Sequence, residues 1–453
     1  MRKDDAVAKS IREPACIIPV MGQYDVVVLG GGPAGIGAAV AAARAKAKVL
    51  LVEQTGCMGG MSTSGMVPVF APLGHTDRPA IAGIIQEVID RLKALDGLGR
   101  NDDTMAWIPI DLEKLKFVFD QMVAQAGAKV LFFTQFAGVR KRGRRVSHVI
   151  LQNKSGRQAV AAKMFIDATG DADVAAAAGV PFEKGDSNGR TQPVGVCYTA
   201  TGIDLPVYRE FIKSIGSDRV GWWLHLQESG AIPAIPKAEY RGVYPFEVTP
   251  CSVGVNFAHI FEVDACDARD LSRAVLAGRK MAHSYIDYAR KNIPGMKNAR
   301  IVATASLAGV RESRRIEGRG RLTIDDFKNA RHHADDIACY DYPIDVHNAT
   351  PSRKDIRKFQ NDFDHLVMAP GKTYGIPFSC LLPRTLDNLA VAGRCLSADR
   401  EMHGSVRVMP ACFAMGQAAG QATAIAAKRN VPLYKVDIRD LQKKLSSAGV
   451  RLT

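Results

Sequence analysis

Residues 24–54 read YDVVVLGGGPAGIGAAVAAARAKAKVLLVEQ. The run Asp25 to Leu29 is short, apolar and valine-rich, as a strand buried on both faces must be. Gly30-Gly31-Gly32-Pro33-Ala34-Gly35 follows and fits G-x-G-x-x-G. An alanine-rich stretch then predicts a helix to about Lys46, and Lys48 to Val52 predicts a second strand that ends at Glu53. Gly30 permits the tight strand-to-helix turn, Gly32 lets the backbone approach a pyrophosphate, and Gly35 lets the helix pack closely on the strand. The helix start offers free N–H groups and partial positive charge to phosphates. Glu53 stands where an acidic side chain accepts hydrogen bonds from ribose hydroxyls. A lone glycine pattern is equally a plain βα turn. Strand, turn, helix, second strand and acidic end together predict a dinucleotide-binding unit.

That unit alone does not choose between NAD and FAD. Residues 56–66, GCMGGMSTSGM, add the pair Gly59-Gly60, with Met61, Ser62, Thr63 and Ser64 behind it. Close backbone approach plus hydroxyls suits the long ribityl-pyrophosphate of FAD. Further on, Lys129–Thr134 predicts a strand. Three more candidates follow, Ala137–Lys141, Val146–Gln152 and Gln158–Ile166, with turns at RGRR and NKSGR. The last ends in Asp167-Ala168-Thr169-Gly170. A three-stranded meander inserted in a parallel sheet resembles the FAD domain of the glutathione-reductase type; a plain hairpin insertion is the alternative.

Near the other end, NLAVAG (388–393) predicts a parallel strand, followed by a loop from Arg394 to Met409 containing HGSVRVMP. Open α/β sheets bind ligands at such carboxyl ends. Pro410 fits the first position of a helix over Ala411–Ala427. Gly416 and Gly420, one turn apart, allow a backbone or a cofactor to come very close. The same spacing occurs in membrane dimers, but Gln417, Gln421 and Lys428 argue against that reading.

The stretches GGGPAGIGAA, GCMGGMSTSG, FIDATGDADVA, GVRESRRIEG, IPFSCLLP, NLAVAGRCLSA and HGSVRVMPACFAMGQAAG resemble the FAD-dependent oxidoreductase family with a single Rossmann unit. That family is distantly similar to fumarate reductase and thiazole-synthase flavoproteins. The resemblance runs from about Tyr24 to the C-terminus. It implies an α/β fold: a glutathione-reductase-type Rossmann FAD domain, parallel sheet plus β-meander, with an inserted α+β substrate domain. It implies FAD as cofactor. It extends the cofactor-binding set to Gln54, Ala137, Thr169, Gly170, Gly393, Arg394, Val408 and Met409. It also aims the Pro410 helix at the pyrimidine edge of the flavin, where a helix N-terminus stabilises developing negative charge. His403 is then a candidate base or orienter, against the alternative of a histidine bonding a loop. Arg407 and Arg314 are candidate anion holders, against ordinary ion pairs.

Between 180 and 370 no second GxGxxG occurs, so no NAD(P)H-binding Rossmann domain is expected. The flavin's electron partner is left open among oxygen, a quinone, a carrier protein and nicotinamide. VGVCYTATG, VGWWLHLQ, VYPFEVTP and VGVNFAHIFEVDA predict strands of a mixed sheet over the flavin. Alternation in the last would set Asn256 and Ala258 opposite Phe257 and His259. Trp222 and Trp223 are read as core, Asp270–Asn292 as an amphipathic helix. ARHHADDIACYDYPIDVHNATP fits no metal signature and reads as a polar loop. The cations of GVRESRRIEG either clamp an anion or join two domains through an Arg/Glu network.

The chain has 453 residues, 47% hydrophobic, and a formal net charge of +14, which favours anionic partners without naming one. RKRGRR (140–145) reads as a solvated surface. Nine scattered cysteines, with no C-x-x-C pair, argue against a disulfide framework, a zinc site or an iron–sulfur cluster. No metal is expected. No stretch reads as a membrane span or a targeting segment, and cytoplasm is the default. The expected divisions are an arm (1–23), a first cofactor-binding part (24–180, with 66–115 a candidate insertion over the flavin), a substrate domain (181–370) and a second cofactor-binding part (371–453). The expected reaction is hydride transfer between a C–H bond of a small polar or anionic substrate and flavin N5. A basic FAD-containing RNA-binding or RNA-modifying protein is the alternative from another class; no RNA-binding motif accompanies the charge, so nucleic acid is disfavoured. A flavin monooxygenase is a third reading. A homo-oligomer is left open.

Overall fold

A computed structural model describes residues 13–74, 79–100, 106–215, 219–240, 244–351 and 366–453. The first twelve residues of the expected arm, and parts of the expected 66–115 insertion, lie outside them.

Strand β1 (Val20–Leu29) feeds helix α1 (Pro33–Arg44) and strand β2 (Val49–Val52). Val26, Val27 and Val28 are fully buried, so both faces of the strand are covered. Helices α2 (Ile84–Ala94) and α3 (Leu112–Ala126) follow. Next come β3 (Lys129–Leu131), β4 (Gln135–Arg142), β5 (Arg145–Asn153) and β6 (Gly156–Asp167). Their order in one sheet is β3-β2-β1-β6-β5-β4. The β3, β2, β1 and β6 pairings are parallel; β4, β5 and β6 form an antiparallel meander. Twelve-residue β6 serves both arrangements. Its first half pairs with β5, and its last residues pair in parallel with β13 (Leu389–Val391). One continuous strand thus joins the early and late parts of the sequence.

The late helix is α6 (Met409–Arg429), preceded by a short helix α5 (Arg400–Val406). The stretch expected as a loop therefore contains a helix, because Asp399 caps it by accepting the Met402 N–H at 2.7 Å. Pro410 falls at the second position of α6, one place later than expected. The small residues of α1 and α6 have one explanation. A Cβ added at Gly416 would lie 2.0 Å from the Ala34 carbonyl oxygen, and one at Gly420 2.2 Å from that of Ala38. On the facing helix, a Cβ at Gly37 would lie 2.6 Å from the Phe413 oxygen. The two helices touch backbone to backbone inside the protein. Among the described residues no helix is long and apolar enough to cross a membrane.

A second core sits on a four-stranded sheet of β7 (Tyr198–Thr201), β8 (Tyr244–Thr249), β9 (Ser252–Asn256) and β10 (Arg300–Thr304), ordered β8-β9-β7-β10. All its pairings are antiparallel, where a mixed sheet was expected. Helix α4 (Ala268–Asn292), capped by Asp267, packs into this core through Ala274, Met281, Tyr285 and Ala289. Three local expectations change. VGWWLHLQ belongs to a helix, Arg219–Glu228, in which Trp222 packs edge-on against Phe211 at 5.6 Å. The expected strand alternation through Asn256–His259 breaks because Ala258 takes a positive φ of 66°, and Phe257, Ala258 and His259 are all buried. The expected polar loop contains a fully buried strand, β11 (Asp336–Tyr340), paired with β12 (Tyr374–Pro377). The apolar run IACY outweighs the charges that flank it.

The GVRESRRIEG segment forms an ion network. Glu312, with no side-chain exposure, takes Arg315 Nη1 at 2.5 Å and Arg400 Nε at 3.2 Å, and also the Gln192 N–H at 3.1 Å. Removing one partner of a buried pair strands the other charge. Glu312→Gln should therefore lower stability by about 3–5 kcal/mol, read as a fall in the thermal midpoint.

Candidate cofactor and substrate site

Gly30, at φ 99°, makes the turn out of β1, and a Cβ there would lie 2.4 Å from the Ala168 oxygen. A Cβ on Gly35 would meet the Gly30 oxygen at 1.8 Å, so this helix cannot pack here with any side chain. A Cβ on Gly32 meets nothing within 4 Å. That position faces open space, which is what the approach of a pyrophosphate requires. Gly31 N–H donates to Glu53 Oε2 at 2.7 Å, and Thr55 donates its N–H to Oε1 at 2.7 Å. Glu53 is thereby fixed beside the glycine turn with lone pairs remaining; exposed Gln54 follows it.

The second glycine pair folds onto the first. Gly59 N–H donates to the Gly31 oxygen at 2.7 Å, and a Cβ on Gly60 would sit 3.0 Å from Gly32 Cα. Gly60, Met61 and Ser62 form a single 3₁₀ turn in which buried Ser62 bonds the Gly59 oxygen at 2.8 Å. From β6, Asp167 accepts the Thr169 N–H and hydroxyl and the Ala175 N–H, which sets the Thr169-Gly170 turn. Burial pushes the Asp167 carboxyl up to about 6. Ala137 lies at the irregularity between Phe136 and Gly138 in β4, exposed and without a cross-strand partner.

The late segment joins this group. A Cβ on Gly393 would lie 3.1 Å from that of Ala34 and 3.5 Å from Cys412 Sγ. Arg394 reaches Asp171 at 2.8 Å and Ser313 at 2.7 Å. Val408, extended, leads into α6 without a side-chain cap, just as Gly32 leads into α1. Helices α3, α4 and α5 instead start on capping aspartates. The α1 and α6 starts leave their first N–H groups to whatever lies before them. Gly32, Pro33, Gly60, Met61, Thr169, Gly170, Arg394, Arg407, Val408 and Met409 are all partly exposed, while their chain neighbours are mostly buried. The residues present fit FAD. Ala34, two residues after Gly32, is touched both by the Gly393 turn and by Gly416 of α6, which brings early and late segments together.

His403 is fully buried, and its Nε2 lies 2.8 Å from the Arg394 carbonyl. Burial, reinforced by Arg315 and Arg407, holds it well below the usual histidine range, so it is neutral. Arg314 Nη1 is held by Asp173 Oδ1 and the Asp171 oxygen, each at 2.9 Å. Arg407 Nη2 bonds the Asp345 oxygen at 2.8 Å and lies 3.4 Å from Asp345 Oδ2, while its buried Nε finds no acceptor among the described residues.

Asp345 opens a cluster whose members the sequence reading placed in a polar loop and a strand without joining them. His347 Nε2 lies 3.2 Å from Asp345 Oδ1, and His347 Nδ1 lies 2.7 Å from His259 Nε2. Burial and the field of Arg311 pull His347 down to about 4, against the opposing pull of Asp345. A quarter of its side chain remains accessible. Burial works against ionisation of Asp345, but His347, Arg407 and Arg311 outweigh it and hold the carboxyl well below the carboxylate range. The signal was the alternation in 342–347: Tyr342, Ile344 and Val346 are buried, and Asp345 and His347 turn outward between them. Among the described residues no group of three or more His, Cys, Asp or Glu is arranged to hold a metal.

A parallel sheet with two uncapped helix starts over a glycine cradle defines a Rossmann-type flavoprotein. The sequence model of the family described as FAD dependent oxidoreductase matches residues 25–445, and the chain belongs to that family. It is an FAD-dependent oxidoreductase with FAD as its cofactor. Among solved structures it is similar to a geranylgeranyl bacteriochlorophyll reductase-like protein from Thermoplasma acidophilum, at 15% identity and TM-score 0.45, over 95% of this chain and 84% of that one. A flavoprotein/dehydrogenase from Cytophaga hutchinsonii gives 12% and 0.46, over 94% and 84%. The p-nitrophenol 4-monooxygenase of Pseudomonas putida gives 11% and 0.44, over 94% and 88%.

His347 also carries a pH consequence. Its folded-state pKa of about 4 lies below the ordinary 6.5, so between those values the unfolded chain binds a proton that the folded chain refuses. Stability therefore falls as pH drops from about 6.5 to about 4, by up to about 3 kcal/mol for this group. His403 acts in the same direction; Asp167, raised to about 6, acts against both. The thermal midpoint lost between neutral and mildly acid pH should be smaller in His347→Gln than in the wild type.

Proposed function

We propose that the protein transfers hydride between a C–H bond of a small polar or anionic organic substrate and its flavin. Bound FAD supplies the electron chemistry. Gly32, Pro33, Gly35, Gly59 and Gly60 admit the pyrophosphate, Glu53 and Gln54 the ribose, and Ala137 the adenine. Thr169, Gly170, Gly393 and Arg394 line the middle of the cofactor, and the Val408-Met409 start of α6 faces its ring. The observation that carries the reading is Gly32, open on its Cβ side among the described residues, with Ala34, two residues on, packed against the Gly393 turn and Gly416 of α6.

Around the ring, Arg407 supplies a cation and an unused N–H donor. His403 serves as an orienter rather than a base: neutral and buried, it braces the Arg394 carbonyl. Arg314, tied to Asp173, holds the 171–173 turn instead of reaching a substrate. Residues 24–180 and 371–453 build the cofactor-holding part and 181–370 the part that covers it. With its nine cysteines free, the chain belongs in a reducing compartment, the cytoplasm.

The test is anaerobic incubation of the purified yellow protein with a metabolite panel. Bleaching of the flavin band by a small polar or anionic compound is expected. A protein that stays colourless after FAD is added overturns the reading.

A further inference from the structure

We propose that the substrate is a hydroxy-carboxylate, that His347 takes its hydroxyl proton, and that Arg407 and Gln192 hold its carboxylate. This rests on the hydride-transfer reading and gives it a substrate class.

Among the described residues, two buried N–H donors without acceptors flank one histidine. Gln192 is 1% exposed; its Oε1 accepts the His347 backbone N–H at 3.0 Å, while its Nε2 has no acceptor. Arg407 is tied to the same histidine through Asp345, and its Nε is likewise without an acceptor. Buried donors are rarely left unmade, because their desolvation is then uncompensated. What would satisfy both is an anionic oxygen pair. Arg407 and Arg311 against Asp345 leave the site with excess positive charge while His347 is neutral, which selects an anion.

His347 has the position of a proton acceptor. Its Nδ1 is fixed by His259 from the short strand His259–Ile260, its Nε2 stands beside Asp345, and a quarter of the side chain is accessible. The charged groups facing it are Asp345 on its own segment, Arg311 from the stretch before Glu312, and Arg407 from the end of α5. Protonation at Nε2 creates an ion pair with Asp345. A bound carboxylate cancels part of the field of Arg407 and Arg311, so substrate binding itself raises the basicity of His347. In the step, the substrate O–H bond breaks and its proton goes to His347. The C–H bond at the same carbon breaks, and its electron pair passes with the hydrogen to oxidised flavin. A C=O bond forms; the carbon is oxidised by two electrons and the flavin is reduced by two.

The test uses the FAD-loaded protein, anaerobic stopped-flow, and glycolate, lactate and malate against acetate and succinate, which lack the hydroxyl. A 2-hydroxy acid should bleach the flavin. His347→Gln should slow bleaching roughly 10²–10³-fold, with succinate binding, followed by calorimetry, changed by less than about threefold. Gln192→Ala should weaken succinate binding roughly tenfold. His259, a positioning residue, should move the acid limb of the pH profile when changed to Gln. The wild-type His347 imidazole gives a readout independent of turnover and of any folding defect: its NMR-titrated pKa should rise when succinate is added. An unchanged pKa, bleaching by H347Q within about threefold of wild type, or no bleaching by any 2-hydroxy acid overturns the proposal. Bleaching by succinate instead removes the hydroxy-acid assignment and leaves the hydride-transfer reading standing. A colourless protein removes both.

Discussion

Gly416→Val yields no folded, soluble protein. A Cβ at this position falls 2.0 Å from the Ala34 carbonyl oxygen and 2.7 Å from its carbon. These are backbone atoms of α1, so no side chain can rotate aside. α6 would have to lift off α1, exposing a seam in which Ala38, Ala39, Ala42, Ala418 and Ala422 are fully buried. Overpacking in a core that can yield costs about 1–3 kcal/mol; one that cannot yield lies in the exceptional range above about 4–5. That is a large part of the about 5–15 kcal/mol that holds a typical protein folded. The check is soluble yield and thermal unfolding. A variant melting within a few degrees of wild type contradicts the packing.

Gly32→Val gives the opposite result: a folded protein without colour. Gly32 sits in an extended conformation with φ −71°, open to any residue, and a Cβ there meets nothing within 4 Å. The apoprotein should therefore melt as wild type does. The valine fills the space that the pyrophosphate needs, and it removes the close backbone approach. FAD should bind roughly 10²–10³-fold more weakly, about 3–4 kcal/mol at 1.4 kcal/mol per decade. Titration calorimetry of the apoproteins measures this. Equal affinity for FAD in both would place the cofactor elsewhere.

The contrast between these two glycines shows how much the sequence could say. The 24–54 unit is read from local chemistry alone: a valine run, three spaced glycines and an acidic end all act within one βαβ turn. The meander and the NLAVAG strand were legible for the same reason. The small residues of α6 were legible as a close-approach surface, but its partner was not, because the Ala34 and Ala38 carbonyls lie almost four hundred residues away. The α5 helix was missed because its cap, Asp399, lies outside the HGSVRVMP stretch. IACY was hidden among charges that proved to be its flanks. The Asp345–His347–His259 cluster was beyond reach for a further reason. Its hydrogen bond joins residues 88 positions apart. Only the short alternation in PIDVH marked one side of it.

The central claim is that the early glycine turn and the late helix start hold one FAD molecule between them. Hydrogen exchange of the apoprotein, with and without FAD, tests it directly. Protection should appear together at residues 30–35, 59–62 and 168–170 and at residues 393–394 and 408–413. Protection confined to the early segments, with the start of α6 exchanging as before, would contradict it.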